Sequence, residues 1–190
     1  LQPFNESSDW TSVKDLRSKD IYCAHVTNAF QTTQDERDAI KNLKQDIQRQ
    51  GSYDLCFSSI CEQYSCGVAD QRHHAVGFIA DNGKIYKAFE EDAYTENIND
   101  HYHAAKSDAK PVPVKVAIQS NSRYNELLVQ DWTVDGVFYT RQCPIKTRKS
   151  VMKVAQQHSI PVYVINNETG SVSQTRSPWA NWNPIKQLFS

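Results

Sequence analysis

The chain is poor in the residues from which many cofactor sites are built. It has 190 residues, of which only six are glycine and one is methionine. No G-x-G-x-x-G loop, Walker A loop or H-E-x-x-H helix occurs, so a Rossmann, P-loop or zincin site is excluded. No apolar run approaches the roughly 18 residues of a membrane helix, and no membrane span is expected. Lys and Arg number 21 against 22 Asp and Glu, for a net charge of -1, and no long basic run exists. General nucleic-acid binding is therefore not expected. Five cysteines is an odd count. Cys56, Cys61 and Cys66 have the spacing of neither a zinc ribbon nor a CxxC redox pair, and read as free thiols of a reducing compartment. His101-x-His103 stands in a polar stretch without matching ligands, so no metal site is expected. The segment Leu1-Gln2-Pro3-Phe4-Asn5 does not read as a signal peptide.

What is present is an ordinary globular composition, 39% hydrophobic and 23% charged. That suits one compact domain over 1–190, with a lead-in at 1–20 and an aromatic tail at 177–190. The clearest helix covers 33–50. Thr33 and Glu36 stand in capping-box relation, Ile40, Leu43 and Ile47 share a face, and Gly51 sits at the stop. A second helix covers 147–158, with Val151, Val154 and Ala155 inward. Strands are expected at 21–26, 53–60, 112–119, 126–131, 134–139 and 161–165. Asp81-Asn82-Gly83 between the apolar runs 75–80 and 84–89 predicts a hairpin, because a tight turn needs positive φ. Residues 90–111 read as an exposed loop. Strands adjacent in sequence with few helices inserted predict an α+β fold. Its core is a mostly antiparallel, split β-sheet, not a doubly wound one.

Three short elements carry the first candidate site. His25-Val26-Thr27 ends the first strand. Phe57-Ser58-Ser59 ends the second and is followed by Tyr64. Tyr124-Asn125-Glu126-Leu127-Leu128-Val129 opens a later strand. A carboxylate fixed on a strand suits glycosidic-bond cleavage, because it stabilises an oxocarbenium-like cation as it forms.

These elements resemble the ADP-ribosyltransferase superfamily, in its bacterial toxin and effector branch. The resemblance rests on three points between residues 22 and 131 and leaves 132–190 uncovered. It implies NAD as substrate, with Glu126 stabilising the transition state as nicotinamide leaves. It implies His25 and Thr27 on the cofactor ribose, Ser58 holding the glutamate or the nicotinamide ribose, and Tyr64, Tyr86 or Tyr94 stacking on nicotinamide. It implies a monomer secreted by a bacterium, acting in a host cell on a macromolecular acceptor, a host protein. Two departures stand out: Tyr124 occupies the position where arginine-directed members carry Glu or Gln, and Val26 replaces a usual glycine.

Two other classes fit parts of the chain. Cys23 with His74, and Glu90 in place of the orienting Asp or Asn, resembles a papain-like cysteine protease or deamidase; Cys66 is another possible nucleophile. A non-catalytic interaction protein would use Trp179 and Trp182 as anchors.

Overall fold

The computed structural model describes residues 10–30, 36–64, 67–68, 74–91, 94–95, 104–105, 110–120 and 125–175. In chain order the elements are α1 (Val13–Arg17), β1 (Tyr22–Phe30), α2 (Glu36–Gln48), β2 (Leu55–Ile60) and β3 (His74–Phe89). Next come the two-residue strands β4 (Tyr94–Thr95) and β5 (Ala104–Ala105), then α3 (Val114–Gln119) and β6 (Glu126–Thr140). The described chain ends with α4 (Ile145–His158), β7 (Val162–Asn166) and β8 (Ser171–Thr175).

The architecture is α+β, with a mixed six-stranded sheet in the order β2-β1-β3-β6-β7-β8. All its pairings are antiparallel except β6–β7, which α4 connects. A parallel neighbour needs such a crossover, because a tight turn cannot reverse the chain twice. β2 pairs with β6 as well as with β1, so β1, β3, β6 and β2 close a ring.

The long strands β3 and β6 pair irregularly along that ring, with register shifts at four places. Gly83 has φ +142 in β3, and Asp131 has φ 52 in β6. The β3–β6 register shifts between Asn82 and Lys84, beside them. A Cβ on Gly83 would lie 2.4 Å from Val129 Cγ1. The glycine thus permits close approach of a neighbouring strand, and the expected hairpin at Asn82-Gly83 does not form. The chain runs straight on because β6 pairs with it on both sides of the glycine. For the same reason 126–131 and 134–139 are one strand. The expected strand at 112–119 is instead α3, entered through Pro113. Its alternating valines read as a strand, but Ala117 and Ile118 are the residues it buries, and Val116 is exposed.

The helices follow their apolar spacing. α2 buries Ala39, Leu43 and Ile47, with Ile40 partly buried against the same core, and Gly51 takes the left-handed φ of +74 after it. α4 buries Thr147, Val151, Val154 and Ala155. Both helices lie on the sheet face that carries Cys23, Val76, Phe78 and Val137. At its centre Phe57, Phe78 and Trp132 pack ring on ring, Phe78 and Trp132 with centroids 5.1 Å apart. Full burial of each such side chain contributes on the order of 2 kcal/mol. Trp132 Nε1–H donates to the Tyr53 carbonyl at 2.7 Å, so its one polar atom is satisfied. Ala24, Ile79, Phe138, Tyr163 and Ile165 form a second cluster on the opposite face.

No helix among the described residues is long and apolar enough to cross a membrane. Residues 1–9 and the tail 177–190, with Trp179 and Trp182, lie outside the described residues, as do Thr33, Cys66, His73, His101, His103 and Tyr124.

Candidate functional site

β2 is the element that brings the candidate residues near one another. Its C-terminal half pairs with β1 through Ala24–Ser58, Cys23–Ser59 and Tyr22–Ile60. Its N-terminal half pairs with β6 through Leu55–Val129, Cys56–Leu128 and Phe57–Leu127. Continuing that register sets Ser58 opposite Glu126, where directly opposed side chains have Cβ atoms about 5 Å apart. Ser58 Oγ donates to the Asn125 carbonyl at 2.9 Å, which ties the two strands there.

Facing residues of paired strands share a side. Glu126 therefore shares its side with Leu128, Cys56 and Ser58, and its partner in β3 is Phe89. Phe89, Leu128 and Cys56 form a small apolar cluster. Glu126 is only 9% exposed. A carboxylate in such surroundings loses hydration, which is costly unless the fold or a ligand compensates.

Asn125, the residue before it, is 1% exposed and fully engaged. Its Oδ1 accepts from the Ser59 backbone N–H at 2.8 Å. Its Nδ2 donates to Ser59 Oγ at 2.7 Å and to the Ala117 carbonyl at 3.1 Å. Ser59 N–H can only donate and the Ala117 carbonyl can only accept, so the amide has one orientation. Sequence reasoning quoted Asn125 and Ser59 as motif letters and gave them no role. A polar pair among apolar strand residues was the available signal.

His25 points the other way. Its β1 neighbour Ala24 shares the side of Ser58, so alternation turns His25 to the opposite face. There the imidazole lies 5.2 Å from the Phe78 ring and 5.8 Å from the Phe57 ring, between centroids, and the side chain is 19% exposed. Its Nδ1–H donates to the Cys56 carbonyl at 2.7 Å, just beyond the last β1–β2 pair. Nε2 stands 3.8 Å from Asp46 Oδ2 of α2. Thr27 Oγ1 donates to the same carboxylate oxygen at 2.8 Å. A register shift between Val26 and Asn28 leaves Thr27 unpaired in the ladder. Asn28 Oδ1 also faces α2, accepting from Asn42 Nδ2 at 3.1 Å. Strand alternation thus turns Ser58 and Glu126 to one side, and Asp46 gathers His25 and Thr27 on the other.

Tyr64 packs partly buried against the main core, and its hydroxyl accepts from Gln119 Nε2 at 3.3 Å. Tyr86 is 41% exposed. Tyr94 lies in β4, paired with Ala105.

The thiol arrangement is not assembled. Cys23 pairs with Ala80, and His74 with Phe30. Six residues of β3 therefore separate them, about 20 Å at strand rise. Cys23 is buried, and that burial pushes its thiol up to about 12. Glu90 follows the end of β3 and is exposed. Among the described residues, no group of three or more His, Cys, Asp and Glu side chains gathers to hold a metal.

A cleft of about 390 Å³ opens elsewhere, lined by Lys19, Asp20, Tyr22, Cys61, Glu62 and Gly170 among others. None of His25, Thr27, Ser58, Tyr64 and Glu126 lines it. Its lining mixes Lys19 with Asp20 and Glu62.

Comparison with known proteins gives no matching family model and no matching curated protein.

Proposed function

We propose that the chain is an NAD-dependent ADP-ribosyltransferase that modifies a macromolecular acceptor, a protein, with Glu126 as its catalytic carboxylate. One observation supports this most: Glu126 is a buried carboxylate at the first residue of a strand, beside Ser58, in a largely apolar patch. Such placement is expensive for folding and is characteristic of sites where a positive charge develops.

As the bond between nicotinamide and ribose breaks, electrons leave with nicotinamide and the ribose gains oxocarbenium character. A carboxylate already held in low dielectric stabilises that cation more than it stabilises neutral ribose, which lowers the barrier. Strand placement limits its motion. Ser58 fixes the carbonyl before Glu126 and offers its hydroxyl oxygen on the same side. His25 and Thr27 serve this site from behind: the His25 bond to the Cys56 carbonyl holds β2 where it leaves β1 for β6. Tyr64, joined to α3 through Gln119, is the aromatic that the resemblance offers for contact with nicotinamide. The setting follows the resemblance: a secreted bacterial effector whose acceptor is a host protein.

The test is release of nicotinamide from NAD by purified protein, with and without candidate protein acceptors. Glu126→Gln keeps the shape and removes the charge. It is expected to lower turnover about 10²–10³-fold, the scale of one transition-state electrostatic group. Equal turnover in Glu126→Gln and the wild type would remove Glu126 from the mechanism.

A further inference from the structure

We propose that Asn125 is the positioning residue of the Glu126 carboxylate, acting as a buried pin that locks the start of β6 to β2 and to α3. The proposal rests on the reading of Glu126 given above. Its physical content is a count of bonds. The Asn125 amide has one strong acceptor direction in use and two donors, and all three are spent on neighbours that are themselves fixed. Ser59 contributes both its backbone N–H and its hydroxyl and is 0% exposed. Ala117 contributes a carbonyl of the last turn of α3, which also accepts from Ser120 Oγ at 3.0 Å. The Asn125 backbone carbonyl takes the fourth bond, from Ser58 Oγ.

These bonds converge one residue before Glu126, so they fix the direction in which its Cα–Cβ bond leaves the strand. Ladder pairing holds Glu126 on the β3 side, opposite Phe89, while the β2–β6 pairs reach only Phe57–Leu127, so the Asn125 bonds are what tie this end of β6 to β2. No other residue type replaces the arrangement. Aspartate lacks the two donors and would face the Ala117 carbonyl with a second acceptor. Leucine has the shape and none of the bonds. A buried donor left unpaired costs more than the bond was worth, so loss of the amide loosens Ser59 as well, whose backbone N–H loses its acceptor. Misplacement by about 1 Å at a reacting centre costs up to about 10²-fold in rate.

The experiment compares wild type, Asn125→Ala, Ser59→Ala and Glu126→Gln as full-length proteins, after circular dichroism and tryptophan fluorescence have established folding. Two readouts are taken: kcat and KM for NAD cleavage, and the titration of the Glu126 side-chain carboxyl by carbon-13 NMR. Asn125→Ala is expected to lower kcat about 30-fold while KM stays within about threefold, as for a displaced catalytic group. It should also move the Glu126 midpoint, because the carboxylate leaves its fixed surroundings. Ser59→Ala removes one of the bonds and should give the same pattern at about fivefold; it carries the test if Asn125→Ala does not fold. Wild-type kcat and an unmoved Glu126 midpoint in a folded variant overturn the proposal and leave the ADP-ribosyltransferase reading standing. If wild type itself cleaves no NAD, that reading fails. The NMR midpoint then decides alone, and an unmoved midpoint overturns the pin.

Discussion

The two sides of β1 and β2 use polar residues in opposite ways. On the α2 side, His25, Thr27, Asn28, Asn42 and Asp46 bond to one another or to backbone. Their groups are engaged inside the fold, and the structure they hold is a bulge and a strand switch. On the other side Ser58 bonds to the Asn125 carbonyl and shares its face with the Glu126 carboxylate, buried among apolar neighbours, while the Asn125 and Ser59 side chains, one residue along in each strand, turn away and bond to each other. The difference teaches how a polar motif is sorted into support and chemistry: what matters is where the charge comes to rest, more than which letters are present.

The sharpest break of this comparison is a pair of substitutions with crossed readouts. Glu126→Gln should lose about 10²–10³ in NAD turnover and little stability. His25→Ala should lose about 1–3 kcal/mol of stability, since the buried bond to the Cys56 carbonyl is lost, and keep kcat within about tenfold. Urea unfolding and nicotinamide release measured on both variants decide it; crossed results would exchange the roles of the two faces.

Gly77→Ala attacks the bulge of β1 through the backbone. Gly77 pairs with Val26 at the register shift, and a Cβ there would sit 1.9 Å from the His25 carbonyl oxygen and 2.7 Å from a Phe138 ring carbon. Backbone cannot retreat as a side chain does, so a loss of about 3 kcal/mol is expected in the denaturation midpoint. Wild-type stability would show that the bulge is plastic.

Thr27→Val is gentler. It removes one bond to Asp46 and should cost about 1 kcal/mol, with turnover unchanged. A large fall in turnover with full stability would place Thr27 on the cofactor instead.

The smallest effect is alkaline. Burial first, and the bond to Asp135 second, push the Tyr163 hydroxyl from 10.0 up to about 12. Burial does the same to the Cys23 thiol, from 9.0 to about 12. In both cases the folded chain keeps a proton that the unfolded chain has released. The stabilisation is therefore whole below the unfolded values and declines as pH rises from about 9 to about 12. Tyr163→Phe should flatten the upper part of that decline in urea midpoints measured between about pH 8 and 11. An unchanged slope would show that Tyr163 titrates normally.

Much of the fold could be read in the chain. The spacing of Leu43 and Ile47, and of Val151, Val154 and Ala155, fixed two helices, and strands adjacent in sequence pointed to an α+β sheet that is mostly antiparallel. The misreadings share one cause. Asn82-Gly83 is a good turn locally, and the valines of 112–119 are a good strand locally, but each was decided by a neighbour distant in sequence. β6 paired along all of β3, and the core took up only Ala117 and Ile118 of α3. Likewise Glu126 and Ser58 were identified as separate motif points, whereas Asn125 was invisible as a pin until Ser59 and Ala117 stood beside it.

The sequence by itself determined the absences that narrow the chemistry and the periodicity of the helices. Those depend on residue type and local spacing, which the chain carries along its length. Only the tertiary structure decided that Ser58 and Glu126 share a side while His25 turns away. That outcome depends on the register of β2 against two strands at once, and a slip of one residue would have reversed every side chain on it.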